Sequence, residues 1–293
     1  MRNKLAAVLL LLAGAVQAAT LSVKDDLGNT VQLAQPAQRV VALTPHATEL
    51  VAALALQRLV GIDAASNYPP AVAGLPKIGR FDTVNVEAIV ALKPDLVIAW
   101  EGTAMQRSLQ PLARLGIPVF YSKPQTPADV ADNLLRLGKL LGADDAARAQ
   151  AGKLQADYAA LKARYRGAAP VRVFMQVNAQ PLLTISDLTF LGQAIKDCGG
   201  VNAYAAAGVT VPQASAEAVL AFAPQLLVAT GKVDGLAGWR RHAALPAVQK
   251  GQLYGIADDR LVRPGPRLVQ GVQLLCDRID AARQVFTQPK PAK

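Results

Sequence analysis

Two glutamates, Glu87 and Glu217, open the same thirteen-residue phrase at a spacing of 130 residues. EAIVALKPDLVIA runs to Ala99 and EAVLAFAPQLLVA to Ala229. Each carboxylate stands at the head of an apolar helical turn, where the helix dipole favours an acidic residue. The rest of the phrase reads as a short helix stopped by Pro94 or Pro224, followed by a buried aliphatic strand. Two copies so far apart predict two similar α/β lobes, each with one glutamate at the equivalent place.

The remaining chemistry-bearing residues are few. Only two histidines occur, His46 and His242, and the chain has no glycine-rich phosphate loop, HExxH or GxSxG. No nucleophile–base pair emerges, which argues against an exported α/β enzyme. His242 lies in the surface pattern WRRHAALPAV. His46 follows the stretch Arg39–Leu43, at the carboxyl end of a predicted strand, where open α/β sheets place their ligands. No metal-ligand spacing is present, so no protein-held metal ion and no catalytic cofactor are expected. Aromatic residues mark the same strand-end positions: Tyr68, Phe81 and Trp100 supply broad, stiff apolar area suited to a flat or bulky ligand. The matching loops of the second half offer Val177, Val211, Asp258, Asp259 and Arg263, a more polar and less aromatic wall.

The elements that must position these residues alternate along the chain. Residues 20–35 alternate around Leu-Gly-Asn and read as an edge hairpin. Strands at 39–43, 60–63, 96–100 and 117–121 are interleaved with helices at 47–56, 104–115 and 127–141, the pattern of a parallel sheet covered by helices. Ala143–Tyr165 contains no proline and one glycine and reads as a single long helix, a stiff link between lobes. The second half repeats the alternation: strand 171–177, helix 187–197, a strand or loop at 209–213, the second phrase, helix 240–249, strand 253–256 and helix 264–284. The fold expected is therefore α/β, two lobes each with a central, mostly parallel sheet flanked by helices, joined by one long backbone helix. The boundaries are 19–142 for the first lobe, 143–167 for the connection and 168–286 for the second lobe, with 287–293 a disordered polar tail.

Termini and composition set the compartment. Arg2 and Lys4, the apolar run Leu5–Val16 and the Val16-Gln17-Ala18 ending form a secretory signal peptide over residues 1–18. The formal charge is +10, but the basic residues are scattered and aromatics make up only 5%, so nucleic acid is not an expected partner. Cys198 and Cys276 are the only cysteines. In an oxidising compartment they are expected to form one disulfide tying the second lobe to its last helix.

At this point a resemblance takes shape. RVVALTPHATELVAAL, SNYPPAVAGLPKIG, NVEAIVALKPDLVIAW, KDCGGVN, VPQASAEAVLA and RPGPRLVQGVQLLC together resemble the vitamin B12-binding proteins of bacterial ABC importers. These are periplasmic members of the helical-backbone substrate-binding proteins, which also carry haem and ferric siderophores. The resemblance spans Arg39–Ile279. It implies a monomer holding cobalamin or another corrinoid in the cleft between rigid lobes, with haem or a siderophore as alternative cargo. Tyr68 and Trp100 match ligand-stacking aromatics, Phe81 stands where a Trp is usual, and Asp259 with Arg263 fall at polar contacts. Glu87 and Glu217 match the glutamates that dock each lobe onto arginines of the permease dimer. The chain departs from the pattern at Val211 and Val177, where aromatics are usual, which thins the second wall.

Overall fold

The computed structural model describes residues 20–80 and 83–287. The expected signal segment 1–18, Phe81 and residues 288–293 lie outside the described residues.

Two four-stranded sheets, parallel throughout, form the frame. The first runs Leu59–Ile62, Val40–Ala42, Leu96–Trp100, Val119–Ser122 across its width. The second runs Gly200–Asn202, Val171–Gln176, Leu226–Ala229, Leu253–Gly255. In chain order both follow the same path: second strand, first, third, fourth. The repeated phrase supplies the third strand each time, Val40 pairing with Leu96 and Val173 with Leu226.

The duplication extends into the backbone. Helices Val86–Ala91 and Ala216–Phe222 are capped by Asn85 and Ser215, whose side chains accept from the amides of Ala88 at 2.9 Å and Ala218 at 3.1 Å. Both phrases then turn through a left-handed non-glycine residue, Lys93 with φ 47° and Ala223 with φ 51°, before the proline. An arginine braces each turn. Arg39 Nε donates to the Leu92 carbonyl at 3.0 Å, and Arg172 Nε donates to that of Ala223 at 2.9 Å. Glu87 and Glu217 are therefore equivalent in three dimensions, each one residue into its helix and each exposed.

Strand alternation divides the core into three parts. Val41, Leu43, Val97 and Ala99 join Ile89 and Leu109 on the outer face of the first sheet. Phe174, Leu227 and Ala229 join Val219 and Trp239 on the outer face of the second. The inner faces, Val40, Ala42, Leu96 and Ile98 in one lobe and Val171, Val173, Leu226 and Val228 in the other, belong to a single apolar cluster. That cluster passes through Leu154 and Leu161 of the connecting helix Asp144–Arg164. At 21 residues this helix is roughly 30 Å long. It packs on helix Pro127–Leu141 and reaches Leu268–Thr287 of the second lobe. A Cβ on Gly138 would collide with the Ala147 methyl, so the close approach of these two helices requires glycine there. Further along, Tyr158 donates to Asp197 at 2.8 Å and Lys162 pairs with Asp197 at 2.8 Å, binding the helix to the second lobe.

Several expected elements take another form. The hairpin Leu21–Lys24 with Thr30–Leu33 stands as a separate two-stranded sheet rather than on a sheet edge. The helix expected over 240–249 is broken: a 3₁₀ helix spans Val233–Arg241, and Pro246 starts a short new helix to Gln249. The helix expected from 264 begins at Leu268, because Pro264 and Pro266 hold the chain in a turn, and it continues to Thr287. Strand Gly200–Asn202, within KDCGGVN, was hidden by the Gly199–Gly200 pair at its start.

Cys198 and Cys276 form a disulfide across 78 residues, joining the end of helix Phe190–Asp197 to the last helix. Both cysteines are fully buried. Constraint of a loop of this length is worth about 4 kcal/mol in the chain-entropy model. The double variant Cys198→Ala/Cys276→Ala is expected to lose roughly 2–4 kcal/mol of unfolding free energy in urea titrations. A loss under about 0.5 kcal/mol would mean that packing alone fixes the last helix.

Candidate ligand-binding cleft

The first sheet's strands end on one side of a cleft of about 1020 Å³. Thr44, Pro45 and His46 follow its first strand, Asp63, Ala64 and Ala65 its second, and Trp100, Glu101 and Gly102 its third. Arg80, Ala104 and Met105 complete that wall, while the facing wall is Phe190, Val262, Arg263 and Pro264. A parallel sheet produces this site because its loops diverge at the strands' carboxyl ends. The cleft is slightly larger than the roughly 300–1,000 Å³ common for drug-sized ligands.

His46 is the second residue of helix Pro45–Ala55, not a loop residue, and it is buried. Its Nδ1 lies 2.9 Å from the Thr44 hydroxyl and its Nε2 lies 2.9 Å from the Ser122 hydroxyl, with Ser122 itself fully buried. Thr44 occupies the N-cap position, yet its hydroxyl serves the imidazole rather than the helix amides. The ring meets Trp100 edge-on at 5.0 Å between centroids. Burial pushes the imidazole down to about 3, only partly opposed by the Asp26 carboxylate. His46 is therefore neutral, with both ring nitrogens engaged, and acts as a strut beneath the half-buried Trp100.

Beside the cleft a polar network joins the lobes. The Glu49 side chain, 2% exposed, accepts from Arg267 Nε at 2.9 Å and Nη2 at 2.5 Å, and from Arg263 Nη1 at 3.3 Å. Arg263 also donates to the Asn67 side-chain oxygen at 2.7 Å and pairs with Asp259 at 2.8 Å. Asn67 Nδ2 closes the ring onto Asp259 at 3.3 Å. The guanidinium of Arg267 lies 3.7 Å over the Tyr68 ring.

Of the ligand-contact residues expected from sequence, the structure brings His46, Trp100 and Arg263 to the cleft. Asp259 stands behind Arg263. Tyr68, 41% exposed, lines a separate cavity of about 320 Å³ with Glu49, Lys153 and Arg267. Val177 packs partly against the shared core, and Val211 is exposed in its loop. Sequence reasoning missed Phe190, the aromatic of the second wall. The signal was present: Thr189 caps the helix that Phe190 begins, which places an aromatic at a helix mouth facing the site. The loop at Asp63 was also passed over; its buried carboxylate accepts from the Ala65 amide at 2.9 Å and from the Ser66 hydroxyl, which sets the loop's shape.

A family model for periplasmic binding proteins matches residues 40–259, a span that covers both sheets and the first-lobe wall of the cleft and stops short of Val262, Arg263 and Pro264. The chain belongs to the periplasmic binding protein family. Members of this family bind and deliver solutes and are not enzymes. A vitamin B12-binding protein of Yersinia pestis is 36% identical over 251 residues, 84% of this chain and 88% of its own length. The crystal structure of the periplasmic vitamin B12 binding protein BtuF of Vibrio cholerae matches with a TM-score of 0.76 at 33% identity, covering 85% of this chain and 99% of that one. The periplasmic heme-binding protein RhuT of Roseiflexus sp. RS-1 matches with a TM-score of 0.74 at 27% identity, covering 84% and 99%. The chain places its cleft at the carboxyl ends of the first sheet's strands, facing Phe190 and residues 262–264 of the second lobe.

The folded value of His46, about 3, lies below its ordinary 6.5. The unfolded chain then binds the extra proton first, so this contribution is complete above pH 6.5 and is lost as pH falls toward 3. The ceiling is roughly 5 kcal/mol at about 1.4 kcal/mol per unit. Unfolding free energies of wild type and His46→Gln, measured from pH 7 to pH 4, should converge as pH falls. Parallel curves would show that His46 does not titrate this way.

Proposed function

We propose that this chain is a periplasmic substrate-binding protein that captures cobalamin or a related corrinoid in the interlobe cleft and delivers it to an ABC permease. The observation that carries this reading is the cleft: about 1020 Å³, walled by Trp100 on one lobe and Phe190 on the other. The 36% identity to vitamin B12-binding proteins supports the same cargo. Residues 19–142 are the first lobe, 143–167 the connection and 168–287 the second lobe, whose last helix ends at Thr287. The protein reaches the periplasm through a cleaved signal peptide at 1–18 and works as a monomer. Ligand contact is proposed for His46, Trp100 and Arg263, which line the cleft, and on the resemblance alone for Tyr68, Phe81, Val177, Val211 and Asp259.

Haem is the second reading, favoured by the 27% identical heme-binding structure. Haem iron takes axial ligands from its protein, whereas cobalamin carries its own. His46 has both nitrogens committed to Thr44 and Ser122, and Met105 packs into the outer core of the first sheet. That arrangement suits the self-ligated corrinoid better. A ferric siderophore calls for cationic groups; the cleft offers Arg80 and Arg263, and Arg263 is already engaged by Glu49 and Asp259.

Calorimetric titration with cyanocobalamin, cobinamide, haemin and a ferric siderophore tests the cargo. A corrinoid Kd below about 10 μM, roughly −7 kcal/mol, is expected. Trp100→Ala should raise that Kd about tenfold, matching one to two kcal/mol of lost stacking. If neither corrinoid binds, the cargo assignment is wrong.

Glu87 and Glu217, exposed at equivalent helix starts, suit docking onto arginines of a two-fold permease. Glu87→Ala/Glu217→Ala should keep corrinoid affinity within about twofold, since neither residue lines the cleft, while uptake in reconstituted vesicles is abolished. Undiminished uptake would reduce both to residues that favour their helix starts.

A further inference from the structure

The motif RPGPR, Arg263 to Arg267, joins the last short helix to the final long one and plays no part in either sheet. Its centre lies against the first lobe: a Cβ placed on Gly265 would meet Glu49 Oε2 at 3.5 Å and the His46 carbonyl at 3.9 Å. Pro264 and Pro266 fix φ on either side, and the Gly265 amide donates to the Arg263 carbonyl at 2.8 Å. Both guanidiniums are thus presented from a stiff turn of the second lobe. They converge on one carboxylate, Glu49, in the first helix of the first lobe. Asp259 brings the cluster to two anions and two cations, so the network is neutral as a whole.

Glu49 does not line the cleft, but Arg263 does. Arg263 is also largely covered, 13% exposed at its side chain, and its remaining bonds go to Asn67 and to the Ala65 carbonyl in the loop that walls the cleft. We propose that Glu49 is a positioning residue that locks the RPGPR turn onto the first lobe, fixing both the width of the cleft and the aim of Arg263 into it. A buried carboxylate suits this task because separation would strand it together with the Arg267 guanidinium: removing one partner from a buried pair leaves the other uncompensated. The bidentate pairing with Arg267 sets direction as well as distance. Arg267 in turn is held over Tyr68, which sits on a loop anchored through Ser66 by Thr48 and Lys77. Opening the lobes would break these contacts together.

The part of this inference that concerns affinity rests on the corrinoid reading; the part that concerns lobe spacing does not. The chain has no free cysteine among the described residues, so Gln110→Cys and Lys250→Cys, exposed in the first and second lobes, accept spin labels. Pulsed dipolar spectroscopy of the ligand-free protein should give one narrow distance for the wild-type network. Glu49→Gln should broaden it, and should raise the cyanocobalamin Kd about fivefold or more through faster dissociation. Arg267→Lys, which keeps the charge and loses the fork, serves as the second variant if Glu49→Gln does not fold. It should broaden the distribution less. Distance distributions that superimpose on wild type in a folded variant would overturn the proposal, even if its melting temperature fell. If wild type binds no corrinoid, the cargo assignment fails, and the distance comparison still decides the role of Glu49.

Discussion

The architecture depends on one apolar seam. Strand alternation turns Val40, Ala42, Leu96 and Ile98 toward the same interior as Val171, Val173, Leu226 and Val228, with Leu154 and Leu161 of the connecting helix between them. Two lobes with closed, separate cores would pivot about their link at little cost. Here any large rotation exposes buried aliphatic surface at about 25 cal/mol per Å². The seam therefore keeps the cleft largely preformed, and a preformed site spares the bound state the ordering that flexible sites require.

The polar groups near the cleft act within that constraint. His46 spends both nitrogens on Thr44 and Ser122 and holds Trp100 edge-on. Glu49 draws together two arginines from a turn that the prolines have already stiffened. Neither group is arranged as a reacting centre. Both stabilise the shape of a wall, which is the chemistry of recognition rather than of bond making.

Much of this was legible in the residues. The paired phrase, its helix-stopping prolines and the alternating apolar runs pointed to two parallel sheets, and the long alanine-rich stretch pointed to one connecting helix. Those signals are local, set by periodicity and by proline. The failures have a common cause. Gly200–Asn202 is a strand because it pairs with Val171–Val173, not because glycine favours the conformation. Phe190 reaches the cleft from the opposite lobe, and Glu49 meets Arg267 across 218 positions. Periodicity reports what a residue does to its own helix or strand and is silent about a partner brought in by the fold.

The cleft is also lopsided. Of its lining, only Phe190, Val262, Arg263 and Pro264 come from the second lobe. Those four sit at a helix mouth and in a connecting turn, outside every strand of the second sheet. Substitution at Val262 or Pro264 can reshape the ceiling over a ligand while each strand, the disulfide and the seam remain as they are. The two lobes thus share one scaffold but not one share of the site: the first supplies a floor from its strand ends, and the second a ceiling from one helix mouth and one turn.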